Sequence, residues 1–245
     1  MSRIGQTDEA QVQSSFSLQA ARNEYEPFQV IVTACGKALT ISDVAMTPFS
    51  GPGSISSENI TIYREHYVDV TQASPYSPFP LQSYPDALIP LKHPVTGADL
   101  NGAVYDAVPY SLADQNNQPF WVDVFIPSNA PPGNYSSELL VTTTDGQTAT
   151  VSISLTVWSF VLPYESHQAT SFGLDDREIS QFYGYDFNNQ RENFFPLVRQ
   201  YYDTLLDHRV SPHFPIDAVP LLNQESGDID FDTILFDGLG TTAAE

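Results

Sequence analysis

A change of hydrophobic period at Pro163 constrains this chain more than any other feature. Upstream, apolar residues recur at every second position. Val151, Ile153, Leu155 and Val157 alternate with Thr150, Ser152, Ser154 and Thr156. Phe120, Val122, Val124 and Ile126 share one face, opposite Trp121, Asp123 and Phe125. Phe28, Val30 and Val32 repeat the pattern, and Ile60–Val70 is rich in β-branched and aromatic residues. Period two with one apolar face marks half-buried strands. Regularly spaced strands without a helical period predict an antiparallel β-sandwich over 1–163. Asp145-Gly146, between two such runs, predicts a hairpin through a tight primed turn. The exception is 72–118, with prolines at 75, 78, 80, 85, 90, 94 and 109. A loop of that length inside a domain needs a task, and packing against the next domain is the one expected.

After Pro163 the period becomes helical. Ala169–Leu174 reads as a short buried strand running into Asp175-Asp176. Phe194, Val198, Tyr201 and Leu205, flanked by Leu197, Tyr202 and Leu206, follow i, i+3, i+4, i+7 spacing. This predicts a helix over 196–209, with Pro196 in its first turn and Arg209 favouring its C-terminal dipole. Val210–Ile216 reads as the next strand, so the order strand, helix, strand is a βαβ start. Only 82 residues follow Pro163, whereas a (β/α)8 barrel takes about 250. Residues 164–245 are therefore expected to be a truncated start of such a barrel.

Charge narrows the partners. Thirty acidic residues oppose nine basic ones, a net charge of −21. Such a field repels nucleic acid and anionic membranes. It fits a secreted or salt-adapted protein acting on neutral substrates, and equally a solubility bias of the host proteome; an extracellular or periplasmic location is expected. The first 20 residues lack a basic stretch and an apolar core, so no signal peptide is expected in this chain. There is no run of about 18 apolar residues to span a membrane. The single cysteine, Cys35, follows an apolar run and is expected to be a buried small hydrophobe.

Several residue sets could carry chemistry. Asp175, Asp176 and Arg177 fall at the predicted C-terminal end of the first barrel strand, and His213 near the end of the second. Ligand-contacting residues of barrels sit on that face. Aspartates that cap the following helix are the plainer reading. Asp228, Asp230 and Asp232 alternate along an extended stretch, but lack the glycine and terminal glutamate of an EF-hand. A short solvated strand accounts for them, and no metal or cofactor is expected. Arg64, Glu65, His66 and Tyr67 sit consecutively on a strand, Arg64 and His66 on one face and Glu65 and Tyr67 on the other, and a structural ion pair inside the domain interface is the expected use. Trp121 and Trp158 could stack on sugars, but core packing is the commoner fate of aromatics in a sandwich. Asp8-Glu9 is the one adjacent Asp-Glu pair. It lies in a polar N-terminal segment and is read as non-catalytic.

Six segments occur in a characteristic order: Ala20–Val30, Ile62–Val68, Tyr84–Pro90, Gln118–Val124, Pro132–Tyr135 and Leu155–Pro163. Together they resemble the N-terminal half of proteins related to glycoside hydrolase family 123, over about residues 20–216. The resemblance implies a non-catalytic β-sandwich packed against a (β/α)8 barrel. It also implies a glycosidase-like role, with N-acetylgalactosaminide hydrolysis in characterised members. In those members the catalytic Asp-Glu pair lies further along the barrel. This sequence has no matching position, so the catalytic residues are expected beyond residue 245. The resulting expectation is an N-terminal portion of a carbohydrate-active hydrolase, inactive alone, with a glycan as substrate of the full-length protein. The alternatives are a non-catalytic carbohydrate-binding or scaffold module, and an accessory domain of an unrelated secreted assembly.

Overall fold

The alternating segments do form strands, and their apolar faces meet in one core. The structure is a computed structural model that describes residues 3–9, 12–94, 96–100, 104–164, 170, 172–185, 191–213, 221–222 and 229–230. The chain divides into two units, Met1–Leu162 and Pro163–Glu245.

The first unit contains β1 (Ser15–Arg22), β2 (Glu24–Thr33), β3 (Leu39–Met46), β4 (Phe49–Ser50), β5 (Ser54–Ile55), β6 (Ile60–Asp69), β7 (Ser83–Pro90), β8 (Tyr110–Leu112), β9 (Asn117–Ile126), β10 (Gly133–Thr143) and β11 (Thr148–Val161). One sheet runs β1-β11-β10-β3-β8, with β4 also on β10 and β5 on β4; the other runs β2-β9-β6-β7. All pairs are antiparallel except β1 with β11, which run parallel from Ser15↔Ser152 to Ala20↔Val157. The predicted antiparallel sandwich therefore has one parallel pair, between the first and last strands. Parallel strands cannot be joined by a tight turn, so only the folded chain brings these two together.

The two inner faces interdigitate. Phe120, Val122, Val124 and Ile126 of β9 are fully buried, as are Phe49, Ile55, Leu139, Ile153 and Leu155. A core of this kind is the main stabilising term, at about 25 cal/mol per Å² of apolar surface removed from water. The β10–β11 hairpin turns at Asp145-Gly146, but only Gly146 has positive φ, +82°. The Gly146 amide donates to the Thr143 carbonyl at 2.9 Å, and the Thr143 amide to the Gln147 carbonyl at 3.0 Å. The loop is thus longer than the two-residue primed turn expected, with glycine in the left-handed position. Cys35 is exposed, not buried; it lies two residues past the end of β2, and the buried small residue there is Ala34.

The chain crosses between sheets at Asn23, whose φ is +60°, a conformation that asparagine tolerates better than most residues. The same corner clamps the end of β11. The Arg22 guanidinium donates to the Ser159 carbonyl at 2.8 Å, and the Asn23 amide group to the Leu162 carbonyl at 2.9 Å. Glu24 accepts from the Ala21 amide at 2.6 Å. Within 72–118 the structure places two strands, β7 and β8, where the prolines pointed to continuous loop.

The second unit holds β12 (Phe172–Gly173), α1 (Asp176–Tyr183), α2 (Arg191–Asp207), β13 (Pro212–His213), β14 (Leu221–Leu222) and β15 (Ile229–Asp230). β12 and β13 pair in parallel, Phe172↔Pro212 and Gly173↔His213, across the two helices. The described residues thus display one strand–helix–helix–strand unit. Two helices and one short parallel pair do not make a barrel. Its core is Ile179 of α1 against Phe194, Phe195, Val198 and Tyr202 of α2.

Helix α1, only eight residues long, was not predicted, although Ile179, Phe182 and Tyr183 follow i, i+3, i+4 spacing and both its caps are local. Asp175 supplies the N-cap, and Gly184, at φ +69°, the left-handed C-cap. Helix α2 begins five residues before the predicted start, so Pro196 lies in its interior rather than its first turn. A proline there removes one i→i−4 bond; the aromatic pair Phe194-Phe195, buried beside it, offsets that loss. Arg209 sits past the helix with φ +58°. Its amide bonds to the Leu206 carbonyl, and that of Val210 to Leu205, a Schellman closure. Residues 214–216 of the predicted strand, and Asp228 and Asp232, lie outside the described residues.

Candidate functional site

The residues expected at the barrel face separate into two groups. Asp175 is exposed, and its Oδ1 accepts from the backbone amides of Arg177 at 3.0 Å and Glu178 at 3.2 Å. It is therefore a helix cap, engaged with its own backbone. Arg177 is exposed in the first turn of α1. Asp176 begins α1, and His213 pairs its backbone with Gly173 at the end of β13. All four thus follow or end the two parallel strands. Among the described residues no group of three or more His, Cys, Asp or Glu side chains could hold a metal ion.

The Arg64–Tyr67 run does not make an ion pair. Strand alternation sends Arg64 inward and Glu65 outward, so the two charges occupy opposite faces. Arg64 is 3% exposed. Its Nε donates to the Ala107 carbonyl at 3.0 Å and its Nη2 to the Asp106 carbonyl at 3.1 Å, with the Tyr110 ring 4.5 Å away. Burial lowers its pKa, and Tyr110 opposes that shift. The guanidinium thus pins the segment before β8 onto the core. Glu65 is 5% exposed and accepts from Gln29 Nε2 at 2.7 Å. Burial pushes its carboxyl up, partly countered by Gln29. The His66 ring packs tilted against that of Tyr105, with centroids 4.5 Å apart.

Tyr67 donates to the Ile4 carbonyl at 2.9 Å, and Asn117 Nδ2 to the carbonyls of Gly5 and Asp8. These bonds strap residues 4–8 onto the second sheet. Asp8 in turn accepts from the Gly5 amide at 2.7 Å. The Asp8-Glu9 pair is therefore an exposed element of a structural turn.

The tryptophans are not core. Trp121 lies on the face of β9 turned away from the core and donates to Asp123 Oδ1 at 2.7 Å. Tyr63 lies opposite it on β6, and burial followed by the Asp123 charge pushes its phenol up to about 12. Trp158 is 41% exposed and stacks on Phe160, itself 50% exposed, at 5.5 Å between ring centroids. Both rings continue the outward face of Ser152, Ser154 and Thr156, opposite the face that buries Ile153, Leu155 and Val157.

Two hollows mark the first unit. A shallow one of about 660 Å³ runs over the outer face of the first sheet, floored by hydroxyls of Ser17, Ser136, Ser152 and Ser154. A smaller, more enclosed one of about 300 Å³ lies where the chain passes from β6 to β7, between Arg3, Val70, Phe79, Leu81, Tyr84 and Asp86. The sequence reading passed over the second hollow. Its signal was a proline-rich stretch with exposed aromatics, which reads as loop until Arg3 is placed against it.

No protein-family profile matches the sequence, and no curated protein matches it. Among solved structures the chain is similar to a family 123 glycoside hydrolase from Clostridium perfringens, described for glycolipid glycan hydrolysis. The TM-score is 0.64 at 18% identity, over 81% of this chain and 32% of that one. The chain thus spans about a third of that protein's length, and the likeness is one of fold. Weaker matches are a PapD-like domain of human CEP192 (TM-score 0.28, 12% identity, 66% of this chain and 92% of that one) and the periplasmic chaperone SfaE (0.30, 5%, 66% and 63%). Scores this low carry no argument.

Proposed function

We propose that this chain is the N-terminal part of a carbohydrate-active, glycoside hydrolase-like protein. In this reading residues 1–163 are its sandwich and 164–245 the first βα units of a (β/α)8 barrel. The supporting observation is the extent of the fold match. It covers 81% of the chain, whereas the first unit holds 162 of 245 residues, about 66%. The matched region therefore reaches past the sandwich into the strand–helix–helix–strand unit.

The substrate class we assign is an N-acetylhexosaminide of a neutral glycan, in keeping with the net charge of −21. Asp175, Asp176, Arg177 and His213 would contact it from the C-terminal ends of β12 and β13, the end that carries ligands in such barrels. Glycoside hydrolysis of this kind needs an acid and a second carboxylate. We place that pair beyond residue 245, so the chain alone is inactive. The protein acts outside the cytoplasm.

The test is turnover of aryl N-acetylhexosaminides by this chain and by a polypeptide extended past Glu245 in the same reading frame. Turnover confined to the extended polypeptide is the expected result. Clear turnover by residues 1–245, lost on Asp175→Ala or Asp176→Ala, would overturn the placement of the catalytic pair.

A further inference from the structure

The hollow between β6 and β7 is built rather than incidental. Its base is closed where the Val70 amide donates to the Gln82 carbonyl at 3.0 Å, and its far wall where the Tyr84 hydroxyl donates to the Pro80 carbonyl at 2.7 Å. The Ser77 amide bonds to the Ser74 carbonyl at 3.0 Å, and the Phe79 amide to Ser77 Oγ at 3.3 Å. The loop thus holds its shape through its own backbone, despite lying at the surface.

Its apolar walls face water. Phe79 is 57% exposed and Leu81 56%. Exposed apolar side chains gathered in one hollow mark a candidate binding surface. Arg3 is held over it by two rings, with Cζ 5.0 Å from the Phe79 centroid and 5.9 Å from that of Tyr84. No described carboxylate forms an ion pair with Arg3. A guanidinium carries five N–H donors, so this one is positioned yet still able to donate.

Asp86 completes the groove with an acceptor. The register of β6 with β7 passes from His66↔Ala87 to Tyr67↔Pro85, which leaves Asp86 as an extra residue in β7. Such bulges re-aim a side chain.

The groove therefore offers apolar walls, one donor cation, one acceptor anion and the hydroxyls of Ser74 and Ser77. Its two charges cancel. An anionic ligand would meet Asp86 and the field of a chain of net charge −21. A wholly apolar ligand would bury the donors of Arg3 without a partner. A neutral pyranose satisfies each feature, since it has an apolar C–H face and a rim of hydroxyls that both donate and accept. A volume of about 300 Å³ is at the small end of ligand pockets and suits one or two sugar rings.

We propose that this groove is a binding site for a neutral sugar unit, with Phe79 and Leu81 against the ring face and Arg3 and Asp86 on its hydroxyls. It deepens the carbohydrate reading above, but lies wholly in the first unit and takes no part in bond cleavage.

The test is saturation-transfer NMR on the 245-residue chain. The probes are the methyl glycosides of glucose, galactose, N-acetylglucosamine and N-acetylgalactosamine, together with lactose and cellobiose, and glucuronic acid as the charged comparator. At least one neutral probe should bind, and glucuronic acid more weakly. Phe79→Ala should weaken binding about threefold to tenfold, the range for a lost ring contact. Arg3→Gln and Asp86→Asn should each weaken it about tenfold, as expected for hydrogen bonds to charged groups. Lys92→Gln, outside the groove, should leave binding unchanged. These side chains are on the surface, so thermal melts of the variants should match the native chain. Absence of binding by every neutral probe, preference for glucuronic acid, or native affinity in Phe79→Ala and Asp86→Asn would overturn the proposal. Turnover by the extended polypeptide reports on the catalytic reading and binding by this chain on the groove, so either can fail alone.

Discussion

Replacing Gly51 with alanine should be among the most damaging single-methyl changes in the sandwich. An added Cβ would collide with the Asn134 carbonyl oxygen and sit 2.8 Å from Tyr135 Cγ. Neither neighbour can yield cheaply. Asn134 lies in β10, paired to Thr156 of β11, and Tyr135 is buried with its hydroxyl bonded to the Pro131 carbonyl at 2.6 Å. The alternative is for β4 and β5 to move off β10, which would expose Phe49 and Ile55, both fully buried. Losing those two side chains from the core costs roughly 1.5–3 kcal/mol each. Shifting the backbone costs about 1–3 kcal/mol, the usual range for overpacking. The cheaper route wins, and with backbone as the obstacle the expected loss is near its top, about 3 kcal/mol. For a unit of this size that lowers the melting temperature by roughly 6–12 °C. Gly36→Ala separates crowding from backbone strain. Gly36 has φ +85° but no atom within 4 Å of an added Cβ, so only the left-handed conformation is penalised, by about 1–2 kcal/mol. Differential scanning calorimetry on both variants measures the two effects. A Gly51→Ala melt within 2 °C of the native one, taken as roughly 0.5–1 kcal/mol, would refute the packing argument.

Other predictions follow from single side chains. The Asp145 carboxyl should titrate near about 2, held down by the Thr143 hydroxyl and then by Lys37. Its contribution to stability is complete above its ordinary value of 3.8 and fades as pH falls through the folded value; carboxyl-carbon NMR should show both the low midpoint and its rise in Thr143→Val. The Tyr63 phenol, raised to about 12 by burial and the Asp123 charge, should make the fold lose stability as pH climbs from 10 towards 12. Tyr63→Phe should remove that part of the alkaline loss in ultraviolet-monitored melts. Asp175→Ala should destabilise the second unit by about 1 kcal/mol through the lost cap, whereas Asp175→Asn should cost only a few tenths. Equal effects of the two, measured by urea unfolding of that unit, would assign Asp175 a role other than capping.

The strand faces were legible because burial imposes period two on every half-buried strand. Val122 and Val124 point inward and Asp123 outward for a reason contained in nine or ten consecutive residues. The caps of α1 were equally local, since Asp175 and Gly184 act on their immediate neighbours. The start of α2 was misplaced because Arg191–Asn193 carry no apolar signal and Pro196 mimics a helix start. The candidate groove was invisible for a different reason: Arg3 and Phe79 are 76 positions apart in the sequence, and only the strap held by Tyr67 and Asn117 brings them together.

By itself, the sequence determined the two regimes either side of Pro163, the buried face of each long strand and the net acidity, because these depend on spacing and composition. Tertiary structure decided the parallel pairing of the first strand with the last, the strapping of residues 4–8 onto the second sheet, and the use of Arg64 as a pin on two carbonyls rather than as half of an ion pair. Each of these depends on which distant backbone lies alongside. Alternation puts Arg64 and Glu65 on opposite faces, but it cannot say what each will meet there.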